Sequence, residues 1–303
     1  MTAPQTRIPV AIIGTGNIGT DLLLKIQRSK YLECKLFVGR NLSSQGMSKA
    51  VTLGVPISDR SINAIVDAPH AYQIVFDATS ARAHLQHWPL LQKLGVKVID
   101  LTPSHVGKMC IPAVNIDKCL VEQNVNMVTC GGQASVPIAH VIGKTQKDVE
   151  YIEVVSSISS RSAGPATRIN LDEYIYTTEA AIREFSGARR AKATLILNPA
   201  SPCINMQTTI FAKVPEPRMD LLKAAVDSMV ARIQTYVPGY QLLLGPIIEH
   251  DRIVVMVKTL GLGDYLPKYA GNLDIINCAA IAMAEAFAMN RMRIAAAQEA
   301  SGV

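Results

Sequence analysis

The sequence predicts an α/β protein: a parallel sheet with helices between its strands over residues 1–130, then an α+β domain with a mostly antiparallel sheet over residues 131–274. Three features carry this prediction. Short apolar runs alternate with helix-length stretches as far as Cys130, the pattern of βα units. The first run leads into Gly14-Thr15-Gly16-Asn17-Ile18-Gly19, a G-x-G-x-x-G set between a strand and a helix, as that motif requires. After Gly143 the strands become half-polar and helices fewer, which favours an antiparallel sheet with one covered face.

Ile8 to Ile13 is the first strand and Asp21 to Ile26 belongs to the helix after it. In a Rossmann-type dinucleotide-binding fold the first glycine makes the turn, the second lets a pyrophosphate approach, and the third packs the helix on the sheet. The second strand, Cys34 to Val38, runs into Gly39-Arg40-Asn41. An acid usually takes the ribose hydroxyls there; Arg40 either faces a 2′-phosphate, favouring NADP, or stacks on adenine and leaves NAD as cofactor. Strands at Gln73 to Phe76 and Lys97 to Ile99 run into Asp77 and Asp100, which read as turn and helix caps in preference to catalytic acids. A helix at Ala81 to Leu94 separates them, and Val125, Met127 and Val128 form the buried strand that closes the series at Cys130.

Beyond it, strands are expected at Tyr151 to Ser159, Thr194 to Leu197, Thr208 to Val214 and Arg252 to Thr259, with helices at Leu171 to Phe185 and Arg218 to Val237. Ser162 to Asn170 reads as a turn-rich loop. A helix from Ile275 to about Ala297, rich in Ala and Met, is long enough for the segment 275–303 to pack back on the first domain.

With 303 residues, 49% of them hydrophobic, the chain can bury one or two sizeable cores. No apolar run approaches the roughly 18 residues of a membrane helix, and Met1 to Pro9 is too polar and short for a signal peptide. A cytoplasmic protein without a membrane role is expected. The net charge of +6 is dispersed and aromatics are only 5%, against nucleic-acid binding. Six cysteines show no C-x-x-C pair or zinc-like spacing, and no carboxylate or thiol lies near His84 and His87 in sequence, so no metal site is expected.

Cys130 is the candidate of most interest. A free cysteine commonly fills core space, but here Gly131 and Gly132 follow it, and Val136-Pro137-Ile138 looks like a helix opening. A thiol at a strand's carboxyl edge ahead of a helix is expected to ionise below its free value of about 8.5. Backbone N–H groups around Gly131 to Gln133 are the candidate oxyanion donors. His140 is expected to be packed or solvated on its helix and to play no part as a base.

Taken in order, several blocks resemble the acylating (CoA-dependent) acetaldehyde dehydrogenases of aromatic meta-cleavage pathways. They are Ala11 to Leu22, Val75 to Ser80, Ile99 to Pro103, Asn124 to Ala134, Ser162 to Pro165 with Thr167-Arg168, Tyr236 to Tyr240, and Tyr265 to Pro267 with Tyr269 to Ile275. The resemblance implies that Cys130 is the acyl-thioester nucleophile. It also implies that Thr15, Gly16, Asn17, Ile18, Ser162, Ala163, Gly164, Pro165, Ala166, Thr167, Arg168, Ile169, Asn170 and Asn272 contact NAD. A short aldehyde (acetaldehyde or propanal) and coenzyme A are the implied substrates. A homodimer and a 4-hydroxy-2-oxovalerate aldolase partner are implied as well. The chain departs from the usual pattern at Gln207-Thr208, where relatives often carry an acid, at Arg40-Asn41, and in a shorter Pro246 to Asp251 segment.

Two other readings share these residues. Water or phosphate as acyl acceptor gives a hydrolytic or phosphorylating semialdehyde dehydrogenase-like enzyme. A non-catalytic dinucleotide sensor would use the cysteine only to report redox state.

Overall fold

The computed structural model describes residues 7–301, with side chains as far as Gln298. Residues 1–6 and 302–303, which the expected first domain and terminal segment include, lie outside it. The first part of the chain runs β1 (Ile8–Ile13), α1 (Asn17–Arg28), β2 (Leu32–Val38), α2 (Gln45–Thr52), β3 (Ile57–Ser58), α3 (Asn63–Val66), β4 (Ile74–Asp77), α4 (Ala81–Lys93), β5 (Lys97–Asp100), β6 (Lys108–Met109), α5 (Pro112–Cys119) and β7 (Asn124–Asn126). Then follow α6 (Cys130–Thr145), β8 (Tyr151–Ser159), α7 (Pro165–Ile169), α8 (Leu171–Ser186), β9 (Arg190–Asn198), β10 (Met206–Lys213), α9 (Met219–Gln234), β11 (Tyr240–Glu249), β12 (Arg252–Thr259) and α10 (Gly271–Ser301).

The first sheet has seven parallel strands in the order β3-β2-β1-β4-β5-β7-β6. Its order reverses between β1 and β4, so their carboxyl ends part to leave a crevice. The glycine motif turns at that point. Gly14 has φ +112°, and a Cβ there would stand 2.4 Å from the Ala78 carbonyl oxygen; a Cβ on Gly19 would stand 1.8 Å from Gly14 O, while Gly16 faces open space. The outer glycines are thus required by packing, and the middle one leaves room for a ligand.

The second sheet has five strands in the order β11-β12-β10-β8-β9, antiparallel except between β8 and β9. Along β8 buried and half-buried residues alternate, as in a sheet covered on one face. The core under that face takes Ile152, Val154, Ile210 and Val255 from the strands and Ile138, Ile142, Ile182 and Ile233 from α6, α8 and α9.

Three departures from expectation have physical causes. Strand β11 was not expected, because Gly245-Pro246 interrupts it; the interruption is tolerated on an edge strand, where the register slips twice. The loop after β8 contains the short helix α7, opened by Pro165 in its first turn. Finally, α10 is apolar enough over Gly271–Gln298 to pass for a membrane span by length and mean hydropathy alone, but 67% of the apolar window is buried in protein. It packs on α1, α5 and α6.

Candidate active site

Asn126 ends β7, and its Oδ1 accepts the Val128 N–H at 2.9 Å. That turn takes the chain through Val128 at φ +63°, a conformation costing a β-branched residue about 1–3 kcal/mol. Thr129 follows as the N-cap of α6: its Oγ1 accepts the Gly132 N–H at 2.8 Å and pairs with Thr178 Oγ1 at 2.8 Å. Cys130 is therefore the first residue of a helix, and the expected helix opening at Val136 is corrected. The double glycine suggested a loop, but it serves close packing. A Cβ on Gly131 would stand 1.9 Å from the Tyr174 hydroxyl, and one on Gly132 would stand 2.6 Å from Val128 Cγ1.

The Cys130 side chain is half-buried and packs against the cores of both sheets. The Tyr174 hydroxyl lies 4.0 Å from its sulfur. Burial pushes the thiol up to about 11, against the opposing pull of Tyr174 and the Gly131 and Cys130 N–H groups. The expected acidic thiol is thus corrected: the helix start acts in the anticipated direction, but desolvation outweighs it. The expected oxyanion donors also narrow. Gly132 N–H is held by Thr129 Oγ1 and Gln133 N–H by the Thr129 carbonyl at 2.8 Å, leaving those of Cys130 and Gly131. His140 donates from Nδ1 to the Phe185 carbonyl at 2.8 Å, a packed role, and burial lowers its pKa.

Several of the residues expected at the cofactor are brought together around the glycine turn. Thr15 Oγ1 is 3.3 Å from Ser44 Oγ on the β2–α2 loop, and Ile18 O accepts Asn277 Nδ2 of α10 at 3.1 Å. A Cβ on Gly164 would stand 3.4 Å from Asn17 Nδ2, so the loop after β8 lies against the glycine turn. The other end of that loop is fixed by Asn170, whose Oδ1 accepts the Ala81 N–H at 3.3 Å. Within the loop, Ser162 Oγ donates to Ser159 O, Ala163 O accepts Arg168 Nε and Ala166 O accepts the Asn170 amide. Pro165 and Thr167 lie on α7. Arg168 is turned onto its own loop, also donating to Ser160 O and Oγ, and Ile169 is exposed. Asn272 is buried near the start of α10 and its Oδ1 has no partner. Open space at Gly16 and this orphaned oxygen fit a bound dinucleotide.

One helical turn joins crevice and thiol, since the Tyr174 N–H donates to Asn170 O at 2.9 Å and its hydroxyl reaches Cys130. Two polar clusters flank this axis. Asp77 takes the Thr79 N–H on Oδ1 at 3.2 Å, the capping role expected of it, but its Oδ2 also meets His84 Nδ1 at 3.0 Å and His87 Nδ1 at 2.8 Å. Asp100 likewise takes the Thr102 N–H at 2.8 Å. In the other cluster Lys25 Nζ lies 2.8 Å from both Asp21 and Asp264 and also contacts Asp274. Those three carboxylates have metal-like spacing, and the ammonium sits among them.

Fold and crevice are those of a dinucleotide-binding protein. The description "Semialdehyde dehydrogenase, NAD binding domain" matches residues 9–120, and "Prokaryotic acetaldehyde dehydrogenase, dimerisation" matches residues 130–267. The chain is 63% identical to an acetaldehyde dehydrogenase of Spirochaeta aurantia, covering 93% of this chain and 95% of that one. It is 58% identical to one of Pectobacterium atrosepticum, covering 94% and 97%. Among solved structures it resembles aspartate semialdehyde dehydrogenase II of Vibrio cholerae, at TM-score 0.63 and 14% identity over 92% of this chain and 98% of that one, a likeness of fold. The chain belongs to the acetaldehyde dehydrogenase family, and residues 130–267 match that family's dimerisation domain.

Proposed function

We propose that this enzyme oxidises a short aliphatic aldehyde, acetaldehyde or propanal, to its acyl-CoA with NAD+, through a thioester on Cys130. The observation that supports this most is the half-buried Cys130 at the first position of α6, one helical turn of α8 from a loop that lies against Asn17. In this reading the Cys130 thiolate adds to the aldehyde carbonyl, and the Cys130 and Gly131 N–H groups face the oxyanion. NAD+ supplies the hydride acceptor when bound. Thr15 to Ile18, Ser162 to Asn170 and Asn272 hold and orient it, which fixes distance and angle for the transfer. Coenzyme A then takes the acyl group from Cys130 and returns the sulfur. Residues 1–130 with the terminal helix form the dinucleotide-binding part, and residues 131–274 the catalytic and dimerising part. The resemblance supports a cytoplasmic role in aromatic degradation, with a 4-hydroxy-2-oxovalerate aldolase as the source of the aldehyde.

The test is steady-state NADH formation from acetaldehyde and from propanal, with and without coenzyme A, together with intact-protein mass. The expected result is turnover only with coenzyme A, and an acyl group on Cys130 when coenzyme A is withheld. Undiminished turnover without coenzyme A would transfer the assignment to a water- or phosphate-dependent enzyme. Full turnover by Cys130→Ser would remove the nucleophile.

A further inference from the structure

The thiol of Cys130 is hard to ionise where it stands, and among the described residues no charged group acts on it. Among the described residues no carboxylate or histidine hydrogen-bonds its sulfur. The influences on its ionisation are burial, the Tyr174 hydroxyl and two backbone N–H groups. On the second-sheet side, α8, β8 and β10 bring three hydroxyls to this spot, those of Tyr174, Ser156 and Thr208. Tyr174, from α8, fills the space over Gly131, and Ser156 Oγ, from β8, would stand 3.1 Å from a Cβ at the same glycine. Ser156 Oγ in turn pairs with Thr208 Oγ1 of β10 at 2.9 Å. Ser156 and Thr208 are each 1% exposed and Tyr174 is 6% exposed.

We propose that Tyr174 is a catalytic hydrogen-bond donor to the Cys130 sulfur, aimed by a buried hydroxyl chain that runs Thr208 to Ser156 to Tyr174. The inference rests on Cys130 being the nucleophile. A phenol carries one O–H and a serine one O–H. Burial and the neighbouring sulfur raise the Tyr174 pKa, with Ser156, which meets Tyr174 over Gly131, opposing them. Tyr174 therefore keeps its proton, and its O–H is available to the sulfur 4.0 Å away. Thr208 Oγ1 completes the row, paired with Ser156 Oγ. A donor to the charged form of an acid favours that form, and a neutral phenol does so without bringing in a second buried charge.

The proton balance is simple. Cys130 S–H becomes S⁻ and gives its proton to water. Tyr174 keeps its own proton throughout. A separation of 4.0 Å is long for this contact and shortens when the sulfur is charged, as catalytic hydrogen bonds commonly do on loading.

The experiment measures alkylation of Cys130 by iodoacetamide against pH, read by peptide mass, in wild-type enzyme, Tyr174→Phe and Ser156→Ala, alongside pH profiles of kcat. Phenylalanine keeps the ring and removes only the hydroxyl. The expected result for Tyr174→Phe is an alkylation midpoint displaced by about one pH unit or more to the alkaline side, hence roughly tenfold less thiolate at a given neutral pH. The kcat profile should move with it and the KM for NAD should stay unchanged. Ser156→Ala should shift the midpoint the same way by less, because Tyr174 then keeps its donor but loses its aim. Superimposed alkylation curves for wild type and a folded Tyr174→Phe would overturn the proposal, as would a lower kcat with an unmoved midpoint. If wild-type enzyme forms no acyl group on Cys130 while the alkylation midpoint still shifts in Tyr174→Phe, the reaction proposed above fails and the donor assignment stands.

Discussion

The imidazole of His84 stands 3.0 Å from Asp77 through Nδ1 and 3.5 Å from Asp100 through Nε2, joining the ends of two adjacent strands beneath the dinucleotide crevice. All three side chains are fully buried, so their proton balance is written into stability.

Burial pushes the Asp100 carboxyl up to about 6, with repulsion from Asp77 adding to it and His84 opposing. A carboxyl whose folded pKa stands above its unfolded value of about 3.9 holds its proton more tightly in the native state, so stability falls as pH rises from about 4 to about 6. Asp77 has the opposite sign: burial opposes its charge, but His84 and His87 hold its pKa down, so its contribution is lost only below the ordinary carboxylate range. Burial also opposes the charge of His84, yet Asp77 and Asp100 raise its pKa. Its contribution is present below about 6.5 and disappears above that, as pH passes the raised value. The window between pH 4 and 6 therefore reports on Asp100. Asp100→Asn should gain on wild type by about 2 kcal/mol between pH 4 and pH 6. Urea unfolding at both pH values checks this, and a constant difference between the two proteins would contradict it.

The Lys25 cluster should bear on stability in a different way. Burial opposes its ammonium charge, but Asp21 and Asp274 outweigh it and raise its pKa. Arg28 adds a paired contact to Asp264 at 2.6 Å, so α1 is tied to the loop and helix start at residues 264–274. Lys25→Met leaves three carboxylates facing one another and should cost about 3–5 kcal/mol, the usual result of stranding buried charge. Adding Asp274→Asn to that variant should recover part of the loss, because one repelling charge is gone. A chemical denaturation series of the two variants reads both effects; no recovery in the double variant would show that the lost packing of Lys25, and not the charge, sets the cost.

How much of this was legible in the chain differs by residue. The glycine turn was, because strand, motif and helix stand together in sequence and each glycine has a separate steric duty. The thiol's ionisation was not: a helix was expected to open at Val136, six residues after Cys130, and the desolvation that outweighs its pull comes from α8 and the second sheet, dozens of residues away. For the same reason Tyr174 escaped notice, since nothing in Asp172-Glu173-Tyr174 marks a hydroxyl that will face residue 130. The pairing of His84 and His87 with Asp77 has a local signal, for α4 begins four residues after Asp77, which brings both rings back over it. Strand β11 needed its partner β12 to be recognisable, because Gly245-Pro246 removes the alternation by which a strand is read.

Arg40 offers a test of cofactor choice that the rest of the site does not. It is exposed at the end of β2, makes no ion pair among the described residues, and shares its loop with Ser43 and Ser44. Asp59 is the acid adjoining it in the fold, since Ser58 O accepts the Gly39 N–H at 3.0 Å. A lone guanidinium where an acid would bind ribose hydroxyls attracts a 2′-phosphate and repels nothing on NAD. NADP is therefore expected to be accepted alongside NAD. Arg40→Asp should lower kcat/KM for NADP about tenfold or more, since a Coulombic attraction becomes a repulsion, and should leave NAD unchanged or improved. Raising ionic strength should weaken NADP use in the wild type more than NAD use, because the extra contact is solvent-exposed and screened. Equal losses for both cofactors in Arg40→Asp would instead mark the guanidinium as an adenine-stacking group.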